Sequence, residues 1–256
     1  MKLENVEYAV TNHLARIEMN RPEVLNALSK GMFRDLRKAL DLATRDGDAR
    51  AVEITGAGKA FSAGLDIREV GGLKSRAHAK EFVYGFVKPF WDQLFKCEKP
   101  VISLVDGPAY GAGAEIALAS DITIASTKST FAFSGGRVGA LCCMSGVIGP
   151  SLMNGKKLVE MNLVGTPLSA NEAANYGLVN YSVPRQELIA ILEKVIRDIT
   201  HVSPISNSSF KRIRKTDLSK TKLDTAYREL LRTITSEDFR EGSSAFIAKR
   251  APEYYR

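Results

Sequence analysis

Two short runs rich in β-branched residues, PVISLVDG at 100–107 and DITIAS at 121–126, enclose the segment AYGAGAEIALASD at 109–121, whose small and aliphatic residues suit a buried helix. Strand, helix and strand in such close succession require an α/β core in which at least part of the sheet is parallel or near-parallel. One residue does not belong to that pattern. Glu115 lies in the middle of the apolar helix with no Lys or Arg anywhere in the segment, and unpaired buried carboxylates are rare.

The alternation recurs upstream. VEYAVTNHLARIEMN (6–20) alternates apolar and polar residues about a Thr-Asn-His turn and reads as a hairpin. KGMFRDLRKALDLATRD (30–46) sets Met32, Phe33, Leu36, Leu40 and Leu42 at helical spacing, and ARAVEITG (49–56) returns to a strand. A second helix bearing Phe82, Val83, Phe86, Phe90, Leu94 and Phe95 is predicted over about 77–97. After GLVNYSVP (177–184) the strand signals stop. RQELIAILEKVIRDITHV (185–202) and the remainder to Arg256 are charged, amphipathic and helical, with Pro204 breaking one helix from the next. The expected organisation is a core over 1–195 followed by a helical region over 196–256, without a low-complexity linker or a sequence repeat.

A chain of 256 residues, 45% hydrophobic, can bury a sizeable core. Its net charge of +7 and pI near 9.3 favour an anionic partner, but the 36 basic residues are interleaved with 29 acidic ones, so phosphate on a small molecule satisfies the balance. Nucleic acid is not expected: there is no zinc spacing or RNA-binding signature, and FKRIRK (210–215) reads equally well as a solvated helix face. MKLENVEYAV has no apolar h-region, and no window approaches the ~18 apolar residues of a membrane span. A soluble, cytoplasmic protein is expected. Cys97, Cys142 and Cys143 form neither a disulfide framework nor a CxxC metal pattern and read as reduced small hydrophobes.

Two glycine-rich segments, TGAGKAFSAGLDI (55–67) and DGPAYGAGAEIALASD (106–121), each follow a predicted strand. Neither contains GxxxxGK[ST] or GxGxxG, which removes the nucleotide-loop motifs. They fit a different task, the presentation of two backbone N–H groups to one oxygen. The N–H of Leu65, just after Gly64, and that of Ala112, where a helix would begin, are placed to polarise a carbonyl and stabilise the enolate derived from it, helped by the helix dipole.

With these segments in view the chain resembles the crotonase superfamily, the enoyl-CoA hydratases and isomerases, over nearly its whole length. MNRPEVLNALS (19–29) is similar to that family's early turn, GKAFSAGLDI to its first oxyanion loop and KPVISLVDGPAYGAGAEIALASDITIA to its second. GTPLSANEAANYGLVNYSVP (165–184) and SSAFIAKRAPEYY (243–255) are similar to the segments before and within its C-terminal helices. The resemblance implies an α/β spiral of ββα units with a C-terminal helical trimerisation region, assembled as a trimer or as a hexameric dimer of trimers. It implies an acyl-CoA thioester substrate whose carbonyl sits between the Leu65 and Ala112 N–H groups, with Ala63, Gly64, Asp66, Ile67, Gly111 and Gly135 lining the site and Lys249 as a contact to the phosphates. Coenzyme A enters as part of the substrate, and no other cofactor or metal is implied.

Glu115 falls on the first of two glutamate positions that family hydratases use to manage the proton of an adding water. Burial raises such a carboxyl's pKa and a helix N-terminus lowers it, so sequence leaves the net direction open. The second glutamate is missing. Its register reads FAFSGGRVGA (131–140) with Gly135 at the position, no acidic residue lies between Asp121 and Glu160, and the Pro-Gly-x-Gly-Gly that the family carries next is replaced by CCMSG (142–146). Losing one of two carboxylates removes a general-catalysis factor of ~10²–10⁴. A hydratase, a single-base double-bond isomerase, an acyl-CoA-binding homologue without catalysis, and a crotonase using hydrogencarbonate in place of the second glutamate all remain open. Ser134, Arg137, Cys143 and Ser145 are the candidates for replacing the missing group, with Glu69 in reserve. His13, His78 and His201 have no partner pattern. Asp66 fits a loop cap as well as a site role, and Asp121 reads as structural.

Overall fold

The chain begins with the hairpin that the alternating sequence predicts. β1 (Val6–Thr11) and β2 (Leu14–Met19) pair antiparallel, with Val6 opposite Met19 and Thr11 opposite Leu14. Asn12 and His13 between them both take positive φ, 50° and 64°, the pair of left-handed residues that matches a two-residue turn to the twist of the strands. The structure, a computed structural model, describes residues 3–215 and 218–254, which leaves Lys215 without a described side chain and Tyr255, at the end of the last family-like segment, outside the described residues.

α1 (Lys30–Arg45) starts where the Ser29 side chain accepts the Met32 N–H and buries Met32, Phe33, Leu36, Ala39, Leu40 and Ala43. Leu42, expected on the buried face, is only half-buried, and Ala43 takes the inner position. β3 (Ala51–Gly56) then lies parallel to β2. Capped by Asp66, α2 (Ile67–Gly71) precedes a longer helical stretch, α3 (Arg76–Glu81) and α4 (Lys88–Lys96), joined by a wide π-turn over Phe82–Val87. Pro89 explains the turn. It lacks an N–H and its ring crowds the carbonyl four residues back, and the Lys88 N–H accordingly reaches Val83, five residues back.

From here each pass of the chain adds one strand to each of two sheets. β4 (Val101–Val105) and β6 (Ile122–Ser126) extend the large sheet, while β5 (Pro108–Tyr110) and β7 (Thr130–Ala132) build a small one, with α5 (Ala112–Ala119) after β5 and α6 (Cys143–Ile148) after β7. α7 (Gly155–Val164), β8 (Leu168–Ser169), α8 (Ala170–Asn175) and β9 (Tyr181–Val183) complete the pattern. The large sheet has the order β1-β2-β3-β4-β6-β9 and is parallel after its hairpin edge; the small sheet is β5-β7-β8. The core therefore is the expected α/β spiral.

Among the described residues four α-helices follow: α9 (Leu188–Thr200), α10 (Pro204–Lys215, with Pro204 opening it), α11 (Lys220–Ile234) and α12 (Glu237–Ala248). α9 runs through residues 195 and 196 without a break and lays Leu188, Leu192 and Val195 on one face of the large sheet with Ala51, Ile102, Leu104 and Ile124. On the other side, Tyr227, Leu230, Leu231, Ile234 and Phe239 from α11 and α12 belong to the same buried cluster as α1, α4, α5 and α6. Among the described residues no helix is long and apolar enough to cross a membrane, and no group of three or more His, Cys, Asp and Glu is arranged to hold a metal ion.

Candidate active site

The first glycine loop is fixed by the turn that precedes α1. Asn26, fully buried at φ 54°, donates from Nδ2 to the carbonyls of Ala57 and Ala60 at 2.9 Å each, and its Oδ1 accepts the Arg21 N–H at 2.9 Å. The Ser62 hydroxyl donates to the Asn26 carbonyl and accepts the Gly64 N–H. Leu28 then brackets Leu65: the Leu28 N–H donates to the Gly64 carbonyl at 2.7 Å and the Asp66 N–H donates to the Leu28 carbonyl at 3.1 Å. In a parallel bridge of this kind the flanked residue points its own N–H away from its partner, so the Leu65 N–H is turned from Leu28. Sequence reasoning missed Asn26; its buried amide is recognised only once the remote carbonyls of Ala57 and Ala60 are seen beside it.

The second loop is tied to the first. The Tyr110 N–H donates to the Ser62 carbonyl at 2.9 Å, the Gly111 N–H donates to the Ala132 carbonyl of the small sheet, and α5 begins at Ala112, whose N–H belongs to the first turn and has no acceptor within the helix. Gly64 shows how close the loops come. At φ 88°, an ideal Cβ there would stand 2.7 Å from the Tyr110 carbonyl oxygen and 3.1 Å from the Ala112 nitrogen, so only glycine permits the contact.

Three residues beyond Ala112, and so on the same face of α5, Glu115 is 3% exposed and borders a cavity of about 470 Å³. Its Oε1 accepts the Ser145 N–H at 2.8 Å, and the Met144 N–H is also directed at the carboxylate. Burial outweighs these donors and pushes the carboxyl up to about 8. The Ser145 hydroxyl, in turn, donates to the Cys142 carbonyl at 2.7 Å and is 2.8 Å from Asn162 Oδ1, which fixes the N-terminal turn of α6 that holds Glu115.

The cavity brings together Ala63, Leu65, Asp66, Ile67, Gly111, Ala112, Glu115 and Gly135. Lys249 is not among its lining residues; it caps α12 in a left-handed conformation, φ 55°. Asp66 lines the cavity and is also a cap, accepting the Glu69 N–H at 3.3 Å and pairing with Arg21 at 3.1 Å. Glu69 faces away from the chemistry, accepting the Lys30 N–H. Asp121 is structural: it accepts the Val101 N–H at 2.8 Å and pairs with Lys211 and Arg214.

Gly135 corrects one expectation. Its side-chain direction is not open: an ideal Cβ would lie 3.0 Å from Cys142 Sγ and 3.2 Å from both the Ala140 carbonyl oxygen and the Cys142 nitrogen. The side chain packed there is therefore Cys142, which was absent from the candidates Ser134, Arg137, Cys143 and Ser145. Arg137 points elsewhere, donating to the Val164 carbonyl. The apolar end of the cavity consists of Val87 and Trp91 from the π-turn and α4, Leu141, and Leu230 and Phe246 from α11 and α12. These last two were invisible to sequence pattern, since nothing local says which remote helix closes the chamber.

Comparison with known proteins gives a consistent set of likenesses. The profile of the family described as enoyl-CoA hydratase/isomerase matches residues 9–256. The mitochondrial enoyl-CoA hydratase of Pongo abelii is 31% identical, over 98% of this chain and 88% of its own length. The 1,2-epoxyphenylacetyl-CoA isomerase of Escherichia coli K12 is also 31% identical, over 93% of each chain. Among solved structures, carnitinyl-CoA hydratase from Mycobacterium avium superposes with a TM-score of 0.85 at 30% identity, covering 99% of both chains.

Proposed function

The chain belongs to the enoyl-CoA hydratase/isomerase family, and from that premise we propose that it converts an unsaturated acyl-CoA by enolate chemistry, shifting a double bond with Glu115 as the proton carrier. One observation carries this reading. Two backbone N–H groups, those of Leu65 and Ala112, for which the described residues supply no acceptor, are held on loops in contact through Gly64, one helical turn from a buried carboxyl. A thioester oxygen between them would gain charge as the α-proton leaves, and one such donor is typically worth ~10²–10³ in rate. Glu115 then takes the proton. With its pKa near 8, about a tenth of the carboxyl is ionised at pH 7, so turnover should rise with pH until about 8. Val87, Trp91, Leu141, Leu230 and Phe246 supply an apolar chamber for the acyl chain. Arg68 at the cavity and Lys249 on α12 are the cations proposed to meet the coenzyme A phosphates.

Hydration is the second reading, favoured by the likeness to the Pongo abelii enoyl-CoA hydratase. It requires Glu115 to manage both proton transfers, because among the described residues the nearest neighbours of a side chain at Gly135 are Cys142 and Ala140 and not a carboxylate. Self-association as a trimer or dimer of trimers is supported by exposed apolar side chains on α7 and α10, among them Leu163, Val164, Ile205 and Phe210.

The test is exchange of the substrate α-proton in deuterated water, followed by NMR with 2- and 3-enoyl-CoA. Wild type should exchange and isomerise, whereas Glu115→Gln should lose both while keeping acyl-CoA affinity within a few fold. Calorimetry showing no binding of short, medium or long acyl-CoA would refute the proposal.

A further inference from the structure

Glu115 is not alone in its cavity: two thiols, Cys142 and Cys143, share the lining with it. Cys143 opens α6 and Cys142 immediately precedes it. The Cys142 Sγ fills the space beside Gly135, and the Gly135 N–H is directed at the sulfur. The cavity thus holds protonatable groups from two segments, Cys142 beside Gly135 and Glu115 on α5.

We propose that Cys142 is a second catalytic residue of this site, a thiol that delivers a proton to one carbon of the acyl chain while Glu115 removes a proton from another. The proposal rests on the enolate reading above and deepens it. The Glu115 carboxylate takes the proton from the α-carbon, that C–H bond breaks, and its electron pair spreads over the thioester carbonyl and the adjacent double bond. The S–H bond of Cys142 breaks, its proton forms the new bond at the γ-carbon, and the double bond settles between the α- and β-carbons. The site is left with a thiolate and a carboxylic acid, and proton transfer from Glu115 to Cys142, directly or through one water, restores the starting state. No oxidant or further reactant is needed. Burial and the neighbouring Glu115 charge both hold the Cys142 thiol protonated, its pKa well above the ordinary 9, which suits a donor and not a nucleophile. The reverse isomerisation uses the same two groups in exchanged order.

The experiment follows deuterium entry at the α- and γ-carbons, together with isomerisation, in the full-length protein with 3-enoyl-CoA. In Cys142→Ala, α-label should enter within a few fold of the wild-type rate, while γ-label and isomerisation fall by ~10²-fold or more. Cys142→Ser, which preserves size and a donor, should keep part of the activity but lose the inverse contribution to the solvent isotope effect that a thiol proton makes. Undiminished γ-label and isomerisation in Cys142→Ala overturn the role of the thiol. So does an equal loss of α-label, γ-label and acyl-CoA affinity in both variants, which would mark Cys142 as packing alone. Failure of the parent reading looks different: the wild type itself would show neither α-label nor isomerisation.

Discussion

Replacing Glu115 by glutamine should leave the protein about as stable as wild type near pH 5 and make it more stable near pH 9. In the fold, burial pushes the Glu115 carboxyl up to about 8 against the Ser145 and Met144 N–H groups, whereas in the unfolded chain it ionises near the ordinary 4.5. Between those values the unfolded state has released a proton that the folded state keeps. Wild-type stability therefore falls as pH rises across this window, and the fall is complete above about 8. At ~1.36 kcal/mol per pH unit the interval corresponds to about 5 kcal/mol, and water entering the adjoining cavity reduces the expected difference to about 2–4 kcal/mol. The glutamine oxygen still accepts the Ser145 N–H but never acquires charge. Urea unfolding at several pH values, with the denaturant slope unchanged between proteins, measures the difference. Glu53, buried in β3 and raised to about 7 by burial despite Arg16, bends both curves in the same direction, so subtracting them isolates Glu115. If the advantage of the variant does not grow from pH 5 to pH 9, the carboxyl ionises in the fold as it does in water and the reasoning fails.

Gly64→Ala places a methyl against the Tyr110 carbonyl and the Ala112 nitrogen, and should lower turnover by ~10²-fold with a smaller effect on acyl-CoA affinity; steady-state kinetics on both parameters decide it. Tyr227→Phe removes a buried hydroxyl that has no hydrogen-bond partner among the described residues, so thermal unfolding should show stability unchanged or raised by about 1 kcal/mol. Asn26→Ala breaks three hydrogen bonds that hold the first glycine loop and should cost about 2–4 kcal/mol, read by chemical denaturation. Deleting 196–256 strips Leu230, Leu231, Ile234 and Phe239 from the main core and should give insoluble protein; a soluble, folded fragment by circular dichroism would contradict the packing described.

Sequence by itself determined the α/β class and most of the local elements. Hydrophobic period, β-branched runs and glycine turns are local signals, and they were sufficient for the opening hairpin, the parallel strands on either side of α5, the C-terminal helices and the two loops that meet at Gly64 and Ala112. Glu115 was legible for the same reason: a carboxylate in an apolar helix conflicts with its immediate neighbours. What remote elements contribute could be decided only by the tertiary structure. The direction of the Glu115 pKa is the balance of burial by several elements against two N–H groups from α6. The identity of the group beside Gly135 depends on how the 140–142 loop folds back: the sequence offered Ser134, Arg137, Cys143 and Ser145 without a ground for choosing among them, and the side chain in place is Cys142. Leu230 and Phe246 reach the cavity from helices more than a hundred residues from Glu115 in sequence. Periodicity states which face of a helix is buried, but desolvation and occupancy are sums over everything packed against that face, and those terms exist only once the chain has folded.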